Sequence, residues 1–155
     1  MSGVAKDFSS FMLALMSDAD LTGLMGVPLG QNLSQMIDKY FCETVTSGVI
    51  TTAAICRVII TANPQISTNN LYIKEDMLSI EVYVPNTASS TPFKDRMMPS
   101  LERRSNLIVD EIIKLFNNKL INDRRLRLEA RHELASGTPG FCRMFVQFSY
   151  KRVYS

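Results

Sequence analysis

The amino-acid sequence predicts an α+β fold, an antiparallel sheet of about four strands with helices packed on one face. Three observations carry this prediction. Apolar residues recur at three- and four-residue steps in some stretches and at two-residue steps in others, the periods of helices and of half-buried strands. Each extended stretch has one core face and one wet face, as in an antiparallel sheet covered on a single side. The elements run helix, strand, strand, helix, strand, strand, the order of an α+β domain.

Residues 5–25 read as helix, with a break near Ser17-Asp18. Phe8, Phe11, Met12, Leu15 and Met16 form one stripe, and Asp18 or Asp20 is placed to cap a second short turn. Gly26, Pro28 and Gly30 then break the chain into a loop. Residues 31–52 are undecided between a helical turn and an irregular strand around Met36-Ile37 and Tyr40-Phe41. The Thr/Ser/Gly-rich stretch 44–52 reads as an exposed loop. Residues 53–62 alternate Ala54, Cys56, Val58, Ile60 and Ala62 with Ile55, Arg57, Ile59 and Thr61, a strand that Asn63-Pro64 is expected to stop. In the extended stretch 71–84, Leu78, Ile80, Val82 and Val84 share a face opposite Ser79, Glu81 and Tyr83.

A polar linker, 87–92, leads to a predicted helix over 93–120. Leu101, Ile108, Ile112 and Leu115 line its apolar side, widened by Val109 and Phe116, and Arg103, Asn106, Asp110, Lys114 and Asn117 line the other. These helical residues are expected over Val58, Ile60, Ile80, Val82, Val146 and Phe148. A hairpin closes the chain. Leu126, Leu128, Ala130, His132 and Leu134 alternate with Arg125, Arg127, Glu129, Arg131 and Glu133. After the loop 136–140, Cys142, Met144, Val146, Phe148 and Tyr150 form the second core-facing row.

Length and composition bound the function. At 155 residues one domain spanning 1–155 is the expectation, large enough to bury a core without staples. With 17 basic and 15 acidic residues the net charge is only +2, which supplies no general attraction to nucleic acid or membrane. Cys42, Cys56 and Cys142 are widely spaced and odd in number, so they read as reduced, mostly buried thiols. The run 11–16 is too short to span a bilayer and lacks the basic start of a signal peptide.

No catalytic pattern emerges. The single histidine, His132, falls on the predicted core face, where it reads as a packed residue. There is no Gly-rich phosphate loop, nucleophile elbow or His-Glu-x-x-His helix. Glu75-Asp76 suggests a bulge or hairpin tip, and Asp110-Glu111 a solvated helix side. Neither a cofactor nor a metal is expected. The hairpin row Arg125, Arg127, Glu129, Arg131, Glu133 carries both signs on one predicted face. That pattern reads as a solvated face or a subunit interface, opposed by Glu102, Arg103 and Asp110 on a neighbour, ahead of a nucleic-acid groove. The nine methionines are read as adaptable contact side chains.

The strand at 71–84, the helix run Arg103-Arg104-Ser105-Asn106-Leu107-Ile108-Val109-Asp110-Glu111-Ile112-Ile113 and the alternating hairpin 126–150 together resemble the tail terminator proteins of tailed bacteriophages. The resemblance lies in the order and pattern of elements across most of the chain. It implies a non-enzymatic subunit that forms a ring, commonly a hexamer, on the tail tube. Such a ring ends tube polymerisation and joins the tube to the head-side neck proteins. DNA passes through the lumen without sequence recognition, and no membrane is involved. Assembly in the host cytoplasm and a place in the virion tail or neck follow from the same resemblance. The alternatives are another head–tail connector or tail-completion protein, a small-ligand or nucleic-acid-binding α+β domain, and an enzyme with an unrecognised site.

Overall fold

The computed structural model of the chain describes residues 3–43, 53–64 and 73–153; the expected loop 44–52 lies outside them. Helix α1 runs Gly3–Met16 and α2 runs Ala19–Met25, separated where the sequence predicts. Asp18 is the N-cap of α2, its carboxylate accepting the Leu21 N–H at 3.0 Å. Gly26 ends α2 in the left-handed region, φ 78°. A Cβ there would sit 2.5 Å from the Phe93 ring, so the glycine serves both the turn and the close approach. The undecided stretch resolves into both of its options. A single turn, α3 (Leu33–Met36), is closed by a capping box between Asn32 and Gln35, and a two-residue strand, β1 (Phe41–Cys42), follows.

Strands β2 (Arg57–Pro64) and β3 (Ile73–Pro85) form an antiparallel pair. Two expectations shift here. Residues 53–56 precede β2, and Asn63 and Pro64 belong to it, Pro64 opposite Asp76. Because β1 covers only Val58 and Ile59, the outer edge of β2 near Pro64 has no strand partner among the described residues. A residue without an N–H is tolerated at such an edge. Nor does Glu75-Asp76 mark a bulge or tip: both lie in the regular β3 ladder, and Asp76 is buried.

Helix α4 spans Arg104–Phe116, much shorter than the predicted 93–120. Pro99 interrupts the segment before it, and 93–103 makes non-helical backbone bonds, including Met98 N–H to Glu102 O at 2.8 Å and Asp95 N–H to Pro85 O at 2.6 Å. Leu101 therefore leaves the apolar stripe, lying at φ 65° and 77 % exposed. Beyond α4, β4 (Leu120–Ile121) and β5 (Arg124–Arg125) make a small hairpin. Its two connecting residues, Asn122 and Asp123, both have positive φ, the type I′ turn that these residue types tolerate. The chain ends in β6 (Arg127–Leu134) and β7 (Phe141–Val153).

Five strands pair in the order β1-β2-β3-β7-β6. The sheet thus has one strand more than expected, and β1 joins it in parallel. Helices α1, α2 and α4 share one core cluster with the covered face, which includes Val58, Ile60, Leu78, Ile80, Val82, Val146 and Phe148. Ile108 and Ile112 are fully buried there and Leu115 partly, as the periodicity predicts. Aromatic edges join the layers: Phe116 meets Phe148 at 5.6 Å and Phe11 meets Tyr150 at 5.2 Å. Met12, Met16, Met25, Met36 and Met144 are core residues, so the methionines serve packing more than contact surface.

Two buried polar ties fix the helices. Asp7 of α1 is fully buried, accepting from Asn122 at 2.6 Å and from Arg124 at 3.3 Å, which clamps α1 to the β4–β5 hairpin. Arg104 is buried with its guanidinium on Leu24 O at 2.7 Å and Lys94 O at 3.3 Å, stacked 5.2 Å from the Phe93 ring. It thereby ties the end of α2 to the loop before α4.

Candidate assembly surface

The charged row of the hairpin is where the fold departs most from its sequence pattern. Arg127 pairs with Ser149 and Leu128 with Phe148, but Ala130 pairs with Gln147. Two residues of β6 thus advance against one of β7, leaving Glu129 as a bulge residue. A one-residue slip moves every later side chain to the opposite face. Beyond the bulge, Arg131 lies opposite Val146 and Glu133 opposite Met144, on the helix-covered side. His132 lies opposite Phe145, on the outer side. The expected single face of five charges is therefore split. His132 also leaves the predicted core face; it is exposed, its ring 5.1 Å from that of Phe145.

On the helix side of β6 the charges meet partners within the same chain. Arg131 binds Asp110 of α4, and Arg103, the N-cap residue of α4, lies 3.5 Å from Glu133. Both pairs are part-exposed, with side-chain exposures of 35–54 %, so each contributes only about 0–1 kcal/mol. Glu102 is exposed beside them. On the outer side, Arg127 lies 3.9 Å from Glu129, whose carboxylate accepts the Ser149 hydroxyl at 2.6 Å. Arg125 donates to Asn118 O at 2.8 Å. The structure thus brings together Arg103, Asp110, Arg131 and Glu133 at one flank of the sheet edge, with Glu102 next to Arg103 along the chain, and sets Arg125, Arg127 and Glu129 on the other.

Behind the first group lies Asp95, which the sequence reading passed over. Its carboxylate takes the Arg103 guanidinium and the Ser105 N–H, the latter at 3.0 Å. Burial alone would raise its pKa, but the hydrogen bonds from Arg103 and Ser105 outweigh burial and hold it below the ordinary value. The same bond holds Arg103 firmly protonated. A cleft of about 530 Å³ opens between Arg103, Glu133, Met97 and Cys142. Burial, then the charges of Asp95 and Glu133, push the Cys142 thiol up to about 12. It is a poor nucleophile at neutral pH. Cys56 is likewise raised to about 12 by burial.

The Asp95 linkage has a defined sign. A carboxyl depressed on folding contributes stability that is full above its unfolded pKa of about 3.9 and is lost as pH falls through the folded value. Asp95→Ala is expected to cost about 1–2 kcal/mol at neutral pH, the scale of a lost helix cap. In urea titrations that difference should shrink below about pH 4; a difference constant down to acid would remove the charge from the explanation.

The outer face carries a small buried cluster of Cys42, Ile59 and Tyr83 with Phe141 against it. Next to it Arg143 binds Glu81 and lies 6.0 Å from the Tyr83 ring. Among the described residues no group of three or more His, Cys, Asp or Glu is placed to hold a metal ion. No described helix is long and apolar enough to cross a membrane.

Comparison with known proteins adds two findings. The family model described as YomW matches residues 17–151, from just before the cap of α2 into the last residues of the chain's final strand, β7. Among solved structures, a chain of the virion of a native gene transfer agent particle shares the fold with a TM-score of 0.61. It is 12 % identical, and the alignment covers 97 % of this chain and 98 % of that one. No curated protein matches.

Proposed function

The chain belongs to the YomW family, and we propose that it is a single-domain structural subunit of a phage tail or tail-like particle. In this reading it forms a ring, a hexamer by analogy with tail terminators, that caps the tail tube. The ring ends tube polymerisation and joins the tube to the neck or head; it assembles in the host cytoplasm and has no enzymatic role. The observation that carries the proposal is the fold shared over nearly the full length of both chains with a component of a virion. A likeness that spans whole chains supports a whole-subunit role more than a borrowed module would, although it is an argument by fold. The same likeness supports a head–tail connector or tail-completion protein as the second reading.

The contact proposed for the ring is the flank of β6 and α4, where Arg103, Asp110, Arg131 and Glu133 are part-exposed with Glu102 beside them. Arg125, Arg127 and Glu129 border it across the bulge. Alternating charges at such an edge favour a neighbour with the complementary order and disfavour others. One such contact per subunit, repeated head to tail, closes a ring. The purified protein is expected to form closed rings by light scattering and negative stain, and to bind the ends of tail tubes. Arg131→Ala with Glu133→Ala should abolish both while leaving the melting temperature nearly unchanged, since each exposed pair contributes about 0–1 kcal/mol. Rings that fail to bind tubes but bind a head-side connector would favour the second reading. A monomer at every concentration, inert toward tubes, would defeat both.

A further inference from the structure

The bulge at Glu129 sorts charges that the sequence interleaves. It turns Glu133 to the helix side, where Arg103 meets it, and leaves the arginines before it on the outer side. There Arg125 and Arg127 are joined by Lys151 of β7 around a cleft of about 310 Å³, with Glu75 and Ser149 in its wall. Register explains the convergence: Arg127 is opposite Ser149, and Lys151, two residues on, shares its face. Two carboxylates stand against these three cations. Glu75 is across the ladder from Lys151. Glu129 is 3.9 Å from Arg127, and its nearer oxygen is already taken by the Ser149 hydroxyl. Arg125 is steadied by a backbone carbonyl, that of Asn118, and no carboxylate lies within ion-pair distance of it or of Lys151 among the described residues. The Arg127 side chain is 79 % exposed.

We infer that this cleft binds the phosphate groups of a nucleic-acid backbone, with Arg125, Arg127 and Lys151 as the contacting residues. Guanidinium groups supply forked N–H donors that match phosphate oxygens, and an ammonium supplies a point charge. Arg125 and Arg127 are two residues apart along an extended chain, about 7 Å. That step is near the spacing of consecutive phosphates on one strand, so a polymer fills both positions where a single small anion fills one. The proposed contact is to the phosphates, which position a nucleic acid without carrying sequence information. The cleft belongs to one subunit and does not depend on the ring reading. If rings form, several clefts act on one duplex and weak contacts add through effective concentration.

The test is a titration of labelled mixed-sequence duplex DNA, followed by fluorescence anisotropy over a salt series, with wild-type protein and with Arg127→Ala plus Lys151→Ala. Neither side chain holds a packed or buried contact, so the variant is expected to fold, and light scattering reports its assembly state alongside. The affinity should fall with salt by about 0.9 logarithmic units per tenfold for each phosphate contact. The double variant should bind more weakly, with that slope shallower by about two. Unchanged affinity and slope in the variant, or no binding by the wild type, would overturn the inference. Displacement of the duplex by inorganic phosphate at equal phosphate concentration would assign the cleft to free phosphate instead. Better displacement by polyglutamate would assign it to an acidic protein segment. Lost rings with retained variant-sensitive binding would defeat the ring proposal alone, and intact rings without binding would defeat this one alone.

Discussion

Arg124→Ala is expected to cost the fold about 3 kcal/mol, the lower end of the penalty for stranding one member of a buried ion pair, since Asp7 is fully buried while the Arg124 side chain is 24 % exposed. Asp7 is fully buried in α1, and Arg124 reaches both its carboxylate oxygens at 3.3 Å while Asn122 donates at 2.6 Å. Removing the guanidinium leaves a fully buried carboxylate without its counter-charge between α1 and the β4–β5 hairpin. Domains of ordinary stability have about 5–15 kcal/mol in total, so the variant should unfold at a much lower denaturant midpoint. The loss should lie in the stranded charge more than in the pair itself. Asp7→Leu combined with Arg124→Met is therefore expected to recover most of it, since apolar replacement of both partners is often close to neutral. Equilibrium unfolding of Asp7→Leu, Arg124→Met and the double closes the cycle. A cost below about 1 kcal/mol for Arg124→Ala, the scale of an exposed pair, would show that water reaches Asp7.

Ile112→Ala is expected to cost about 2–5 kcal/mol through lost burial and the cavity left behind. Ile112 is fully buried in the middle of α4, among the core residues that join the helix to the covered face of the sheet. Ile108 and Phe116, one turn to either side on the helix, and Val146 and Phe148 of the same core cluster are themselves fully buried, so the cavity opens inside a packed core. The substitution keeps helix propensity, as alanine is the best helix former, which isolates the packing loss. An unchanged unfolding midpoint would mean that this face of α4 is not the one that holds the sheet.

The two variants separate what was legible in the sequence from what was not. Ile112 was readable because burial repeats with the helical period, and so were the core faces of β3 and β7, where Leu78, Ile80, Val82 and Val84 and then Met144, Val146, Phe148 and Tyr150 recur at every second residue. Asp18 as a cap was readable from its position before an apolar turn. The capping box at Asn32 and Gln35 and the Asn122-Asp123 turn carried local signals too, residue types suited to a cap and to positive φ, and could have been found. The Asp7–Arg124 contact could not. Its members are 117 residues apart, and nothing near either residue distinguishes them from solvated charges.

The candidate assembly surface divides in the same way. Sequence alone determined the α+β class, the helical and extended periods, the core-facing residues of α4, β2, β3 and β7, and the presence of five alternating charges before the last turn. All of these follow from near-neighbour spacing, which the backbone geometry of helices and strands converts directly into faces. Only the tertiary structure decided that α4 begins at Arg104, where Asp95 reaches across ten residues to accept the Ser105 N–H. It alone added β1 to the sheet edge as a parallel strand. It alone placed one extra residue, Glu129, between Leu128 and Ala130 against a single step of β7. A bulge costs nothing in the alternation of a sequence but inverts every side chain after it, because strand period is two and register is a property of the pair. For that reason Arg131 and Glu133 face α4, His132 faces outward, and Arg125 and Arg127 share a cleft with Lys151.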